Sequence, residues 1–160
     1  FCPVMRLHGY RDPIKPQYGT TGGAACRSGA DNEVWSFTEE VYKICKKYLS
    51  LREKLRPYVA AQMKAAHEKG TPVMRPLFYD FPGDPTAWET EDEYLFGPDY
   101  LVAPILYEGM REREVYLPTG QKWTDAWTGE SYEGGGVITA AAPLDRIPVF
   151  SRDGTKFEGA

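Results

Sequence analysis

The sequence predicts an α+β protein in which a long, interrupted helix is followed by an antiparallel β-sandwich. Apolar residues keep a helical spacing over 36–69, and this spacing stops at Gly70. Beyond Gly70, short apolar runs alternate with turn residues, as in the strands of a sandwich. The 160 residues include 16 Gly and 13 Pro, more than most globular chains carry, which favours many turns.

Sequence signals predict the start of the helix over 36–69 and a break within it. Ser36 and Glu39 have the spacing of a capping box, in which each side chain satisfies a free backbone N–H. Pro57 removes a backbone donor and clashes with the preceding turn, so a break is predicted near Arg56. The predicted buried face of this helix comprises Phe37, Val41, Ile44, Tyr48, Leu51, Leu55, Tyr58, Gln62 and Ala66.

The second half of the chain is predicted to form seven short strands separated by turns. The strands are 73–81, 94–96, 101–106, 114–117, 122–127, 137–140 and 149–150. The triple glycine at 134–136 has no Lys or Ser/Thr at P-loop spacing, so it is assigned as a turn.

Charge and composition exclude several classes of protein. The 19 Lys and Arg nearly balance 23 Asp and Glu, and the net charge of −4 predicts no nucleic-acid partner. No stretch approaches the ~20 apolar residues of a membrane span, so no membrane partner is expected. Cys2, Cys26 and Cys45 lack metal-ligand spacing; they predict reduced structural thiols, no metal site and a cytoplasmic location.

His8 is the first candidate for a functional side chain. It follows the apolar segment 4–7 and precedes Gly9, which predicts a position at the end of a short buried strand. Barrel enzymes keep their sites at such strand ends. A structural histidine, bonded to the backbone, is the alternative. Residues 9–33 are predicted to be a long polar loop.

Acidic residues and tryptophans give two further candidates. The acidic group consists of Asp80, Asp84, Glu89, Glu91, Asp92 and Glu93. Glycosidic cleavage needs a carboxylate pair, but the Pro/Gly-rich context of these residues predicts a solvated loop. Trp123 and Trp127 are four residues apart, which predicts one shared strand face. Such a pair fits either a sugar-stacking platform or core packing.

The sequence resembles glycoside hydrolase family 31 over nearly its whole length. Only residues 10–33 depart from the pattern of the family. It is carried by RLHG (6–9), LR (51–52), LRPY (55–58), PVMRPL (72–77), DFPGDP (80–85), EYLFGPD (93–99), LVAP (101–104), VYLP (115–118), WTDAWTG (123–129) and PLDRIP (143–148).

This resemblance implies a domain organisation and a parent enzyme. Residues 1–70 would be the C-terminal end of a catalytic (β/α)8 barrel, comprising its last strand, a long loop and a kinked helix. Residues 71–160 would be the proximal β-sandwich, and the chain is expected to be a piece of a longer protein. That parent would be a retaining α-glycosidase acting on oligosaccharides or glycosides without metal or cofactor.

The resemblance also implies where the chemistry lies. The family's two catalytic aspartates belong to earlier barrel strands, so no catalytic residue is expected in this chain and the chain alone is predicted to be inactive. His8 matches a histidine that hydrogen-bonds the hydroxyls of the sugar, and Arg6 is expected to support it. Segment 31–37 is closer to the α-xylosidase branch than to the maltase-like branch, although α-glucosides stay open as substrates.

Two other hypotheses remain at this stage. The chain could be a non-catalytic sandwich that binds carbohydrate through Trp123 and Trp127, and an exposed Trp pair would favour this hypothesis. It could instead be a structural interface module, with both Trp side chains buried and His8 sealed from solvent.

Overall fold

The computed structural model describes residues 1–6, 33–152 and 154–157. The chain divides into two compact units. The first unit comprises Phe1–Pro3 and Arg52–Ala160, and the second comprises Val4–Leu51.

The second unit is described over residues 4–6 and 33–51. It contains a 3-10 turn, Val34–Ser36, and most of helix α1, Glu39–Lys54, whose last turn belongs to the first unit. The predicted capping box is wrong. The Thr38 hydroxyl oxygen accepts a hydrogen bond from the Val41 N–H at 3.3 Å, which makes Thr38 the capping residue. The Ser36 hydroxyl donates instead to the Glu33 carboxylate at 3.1 Å.

Helix α2, Arg56–Lys69, confirms the predicted break. Leu55 separates the two helices, and Pro57 lies in the first turn of α2, where its missing N–H breaks no helical hydrogen bond. The helix ends at Gly70, whose φ of 70° is left-handed and whose N–H donates to the Ala66 carbonyl at 3.0 Å. None of the helices in the described ranges is long and apolar enough to cross a membrane.

The first unit contains two antiparallel sheets. Eight strands lie in the described residues: β1 Met74–Arg75, β2 Tyr94–Phe96, β3 Tyr100–Val102, β4 Glu112–Leu117, β5 Lys122–Asp125, β6 Ser131–Glu133, β7 Gly136–Ala141 and β8 Val149–Arg152. The larger sheet has the order β1-β2-β3-β8-β5-β6, and β4 pairs with β7 in the smaller one. In register, Leu101 of β3 faces Phe150 of β8, and Val115 of β4 faces Ile138 of β7.

One core cluster joins the two sheets. The larger sheet contributes Leu95, Leu101, Trp123 and Phe150, the smaller one contributes Val115, Leu117 and Ala140, and all are buried. Burial of this apolar surface is the main stabilising contribution to the unit. The predicted α+β class with antiparallel sheets is confirmed, and the arrangement is that of a β-sandwich.

Several strand predictions fail. The predicted strands 101–106 and 122–127 end early, at Val102 and Asp125. Only Met74–Arg75 of the predicted strand 73–81 is extended, because the chain turns after Pro76 into helix α3, Leu77–Asp80. A further short helix, α4, spans Pro85–Glu89. Strand β6 was not predicted because its residues are mostly exposed and give no apolar run.

The turn between β2 and β3 fixes α2 to the larger sheet. The Tyr58 hydroxyl donates to the Phe96 carbonyl at 3.0 Å, and its ring lies 5.1 Å from that of Tyr100. Burial, with the nearby charge of Asp99, raises the pKa of Tyr58. The adjacent Gly97 has a φ of +60°, and a Cβ there would lie 2.1 Å from the Tyr58 hydroxyl oxygen. Only glycine fits this contact.

Replacement of Gly97 by alanine is expected to destabilise the chain more than the same change at Gly109. Both glycines have positive φ, at +60° and +83°, so both variants incur a backbone cost of roughly 1 kcal/mol. Only Gly97→Ala also overpacks against Tyr58, which adds about 2 kcal/mol. Urea denaturation of both variants measures the difference, and equal losses of unfolding free energy would refute the contact.

Candidate functional site

The structure describes only one of the two residues that were predicted to contact substrate. Arg6 is an exposed side chain of the second unit, and the described residues 4–6 are exposed and form no strand, unlike the buried strand predicted before His8. His8 lies outside the described residues, so its role stays a prediction.

The segment that leads to these residues is held by side chains of the first unit. The Phe1 carbonyl accepts a hydrogen bond from the Tyr94 hydroxyl at 2.7 Å. The Arg52 guanidinium donates to the next two carbonyls, Cys2 through Nη1 and Pro3 through Nη2, the latter at 2.9 Å. Three consecutive carbonyls are therefore bound by two side chains.

Aromatic packing completes this attachment. The Phe1 ring meets Phe96 edge-on at 6.1 Å and lies 6.0 Å from Phe157. We call Arg52, Tyr94, Phe96 and Phe157 the anchor. Burial raises the pKa of Tyr94 to about 12, so its hydroxyl stays a donor throughout the neutral range.

The two candidate tryptophans, Trp123 and Trp127, are structural. Trp123 is 0% exposed, and its Nε1–H donates to the Pro118 carbonyl at 3.1 Å. Trp127 lies beyond the end of β5, so the prediction of a shared strand face is wrong. It is half-buried, donates to the Ile147 carbonyl at 2.7 Å and meets Phe157 edge-on. The two-Trp sugar platform is excluded because Trp123 has no exposed face.

Asp84 is a buried hydrogen-bond acceptor, so a solvated loop is the wrong description for it. One carboxylate oxygen caps α4 by accepting the N–H groups of Thr86 and Ala87 at 3.1 and 3.4 Å. The other accepts the Tyr116 hydroxyl at 2.7 Å and the Thr119 N–H at 3.0 Å. Burial alone would raise the pKa of Asp84, but these hydrogen bonds outweigh it and lower the pKa.

Glu93 is the second buried carboxylate, with a side chain only 2% exposed. One oxygen accepts the Tyr116 N–H at 2.8 Å and lies 3.6 Å from the Arg113 guanidinium. The other oxygen is buried without a hydrogen-bond partner among the described residues. Burial, strengthened by the negative charge of Asp92 and only partly offset by these two donors, raises the pKa of Glu93 to about 7. The prediction of a solvated carboxylate is wrong here as well.

Asp80 is the third acidic residue that the structure withdraws from solvent. It pairs with Arg75 at 3.1 Å and with Arg152 at 3.3 Å. The Arg152 guanidinium lies over the Phe81 and Trp123 rings, 4.7 and 5.7 Å from their centroids. Asp84 and Glu93, both buried, and Asp80, which is partly buried, thus each support the sandwich.

A surface pocket of about 230 Å³ lies beside Arg113. It is lined by Asp92, Pro104, Leu106, Tyr107, Met110, Arg113 and Glu114. The Arg113 guanidinium is already bound to the carbonyls of Asp92 and Pro104 and to the Asp92 carboxylate at 2.6 Å. Within the described ranges, no group of His, Cys, Asp or Glu is arranged to hold a metal ion.

Comparison with known proteins identifies the family. The sequence model of the glycosyl hydrolase family 31 C-terminal domain matches residues 70–155. The chain belongs to glycoside hydrolase family 31.

The relatives include α-xylosidases and α-glucosidases. An α-xylosidase from Saccharolobus solfataricus is 36% identical over 96% of this chain, and α-glucosidase 2 from Bacillus thermoamyloliquefaciens is 41% identical over 77%. A family 31 α-xylosidase from a soil metagenome, crystallised with xylose, is 52% identical over 99% of this chain, with a TM-score of 0.90. The chain spans 19%, 16% and 24% of these three proteins, respectively.

Glu93 predicts a pH dependence of stability. Because its pKa rises from an ordinary 4.5 to about 7 on folding, the folded state favours the neutral carboxyl. The stability that it contributes is complete below pH 4.5 and is lost as pH rises through 7. Relative to Glu93→Gln, the native chain should lose on the order of 3 kcal/mol of unfolding free energy between pH 4.5 and 8.

Urea denaturation across this pH range measures the effect. Glu112→Gln, an exposed change on β4, is the matched control and should follow the native profile. Parallel profiles for the native chain and Glu93→Gln would contradict the prediction.

Proposed function

We propose that the full-length protein carrying this chain is a retaining α-glycosidase that releases terminal α-linked xylose, or glucose, from oligosaccharides. The observation that carries the proposal is the 52% identity to the α-xylosidase crystallised with xylose. The α-xylosidase-like segment 31–37 supports xylose as the first sugar to test.

We further propose that the chain comprises parts of two domains. Residues 1–70 are the C-terminal end of the catalytic barrel, and residues 71–160 are the proximal β-sandwich. The loss of helical spacing at Gly70, the start of the family match at residue 70 and the antiparallel sheets beyond it support this division.

In the proposed mechanism, two aspartates upstream of residue 1 perform a double displacement. One attacks the anomeric carbon and forms a glycosyl-enzyme, while the other protonates the leaving oxygen. The second then removes a proton from the water that hydrolyses the intermediate. This chain contributes His8, which hydrogen-bonds hydroxyls of the sugar, and Arg6, which supports it.

The alternative of an independent carbohydrate-binding sandwich is less well supported. It depended on an exposed Trp pair, and Trp123 is fully buried.

The proposed function is tested with aryl α-xyloside and aryl α-glucoside substrates. The full-length protein should hydrolyse at least one of them with retention of the anomeric configuration, detected by NMR of the first-formed sugar. The 160-residue chain, purified away from host glycosidases, should match a blank without enzyme. Turnover by the 160-residue chain would contradict the assignment of the aspartates.

His8→Ala in the full-length protein should reduce catalysis rather than stability. The lost contacts to sugar hydroxyls strengthen in the oxocarbenium-like transition state, so kcat/KM should fall by roughly two to four decades. The control is His67→Ala, which changes the other histidine, exposed on α2. Kinetics and thermal melts on the same preparations separate a substrate-binding role from a structural one. A lowered Tm with normal kcat/KM per folded molecule would show that His8 is structural.

A further inference from the structure

A stacked aromatic pair, Phe78 and Trp88, lies on two short helices of the first unit. Phe78 belongs to α3 and Trp88 to α4. Their ring centroids are 4.4 Å apart, and the ring planes are inclined by only 10°. Trp88 is nevertheless 55% exposed. Because Phe78 covers one face of the indole, this exposure lies mainly on the opposite face.

The indole of Trp88 is fixed at its edge as well as on its covered face. Its Nε1–H donates to the Pro82 carbonyl at 2.9 Å. The helix that carries it is also fixed, because the buried Asp84 carboxylate caps α4 and the neighbouring Ala87 is fully buried. A flat apolar surface with one open face is therefore held in place before any ligand arrives, which lowers the entropic cost of binding.

We propose that Trp88 forms a sugar-binding site, in which one pyranose ring of an oligosaccharide stacks on the open face of the indole. The C–H groups on one side of a pyranose form an apolar, weakly positive surface, which complements the negative face of an aromatic ring. The choice of an oligosaccharide as the ligand follows from the proposed function, whose substrates belong to that class. Trp88 has the open face that the buried Trp123 lacks.

The surroundings of Trp88 favour a sugar over an apolar protein partner. Glu89 and Glu91 follow Trp88 within three residues, and both are exposed. Tyr79, next to Phe78 in α3, is 45% exposed. Carboxylates and a phenol hydroxyl are suitable hydrogen-bond partners for sugar hydroxyls. A partner made of apolar side chains would instead remove water from these charges without replacing its hydrogen bonds.

The first test is affinity electrophoresis of the full-length protein in gels that contain xyloglucan, which has terminal α-xylosyl residues, or soluble starch, an α-glucan. At least one polysaccharide should retard the native protein. Trp88→Leu keeps an apolar contact with Phe78 but removes the flat ring, so the dissociation constant should rise roughly tenfold. Trp88→Phe keeps a smaller ring and should cost about threefold. Tyr107→Leu is the matched control, because Tyr107 is 73% exposed, and this change should leave retardation unaltered.

Hydroxyl-radical footprinting with mass spectrometry locates the sugar directly and needs no variant. Trp88 should be oxidised in the free full-length protein. Saturating xyloglucan heptasaccharide, or maltoheptaose if starch is the polysaccharide that retards the protein, should slow this oxidation several-fold. Tyr107 should be oxidised equally with and without sugar, which controls for scavenging of radicals by the sugar.

Three results would overturn the inference. They are equal retardation of the native protein and Trp88→Leu, equal oxidation of Trp88 with and without sugar, and protection of Trp88 in the free protein, which would show that another part of the protein covers the ring. Thermal melts verify that each variant is folded, and footprinting gives the answer if Trp88→Leu fails to fold.

The outcomes also separate this inference from the proposed function, because retardation in the gel requires no turnover. A protein that is inert on both aryl glycosides but is retarded through Trp88 would overturn the proposed function alone. An active protein whose retardation does not depend on Trp88 would overturn this inference alone.

Discussion

The attachment of β4 to two buried carboxylates is the interaction on which the sandwich depends. Tyr116 donates its N–H to Glu93 and its hydroxyl to Asp84. β4 pairs in its sheet with β7, and a two-stranded sheet alone is marginally stable in water. The carboxylates therefore fix the smaller sheet against the larger one and satisfy polar groups that would otherwise be buried without partners. Glu93 is neutral more readily than a surface carboxyl because burial outweighs its donors.

The break and the end of the helical segment were predicted correctly because each depends on one residue and its neighbours in sequence. Pro57 and Gly70 act through their own backbone geometry, so the helix break and the helix end were found. The burial of Asp84 and Glu93 depends on Tyr116, which is 32 and 23 residues away along the chain, and no local pattern reports such partners. Two signals were available: Asp84 precedes Pro85 in the order typical of a helix start, and Glu93 directly precedes a buried strand. The sequence context of His8 predicted only a position at a strand end, and its contact with sugar hydroxyls was implied by the family resemblance.

The acidic side chains Asp80, Asp84 and Glu93 stabilise the sandwich. The buried acids of the sandwich bind backbone N–H groups, a tyrosine hydroxyl or arginines, and are committed to the fold. The anchor holds the first three residues of the chain against this fold. Relatives that act on xylosides and glucosides share this region with the chain, which fits a scaffold whose sugar specificity is set elsewhere.

The anchor also constrains the order of events during synthesis. Phe1 is held by Tyr94, 93 residues later, and by Phe157 near the end of the described chain. At a ribosomal rate of about 5–20 residues per second, roughly ten to thirty seconds separate the synthesis of Phe1 from that of Phe157. During this interval the first three residues lack their final attachment to the sandwich. Complete packing of the first unit therefore waits on translation of the sandwich, and a ribosome that stalls within the sandwich leaves these residues unattached.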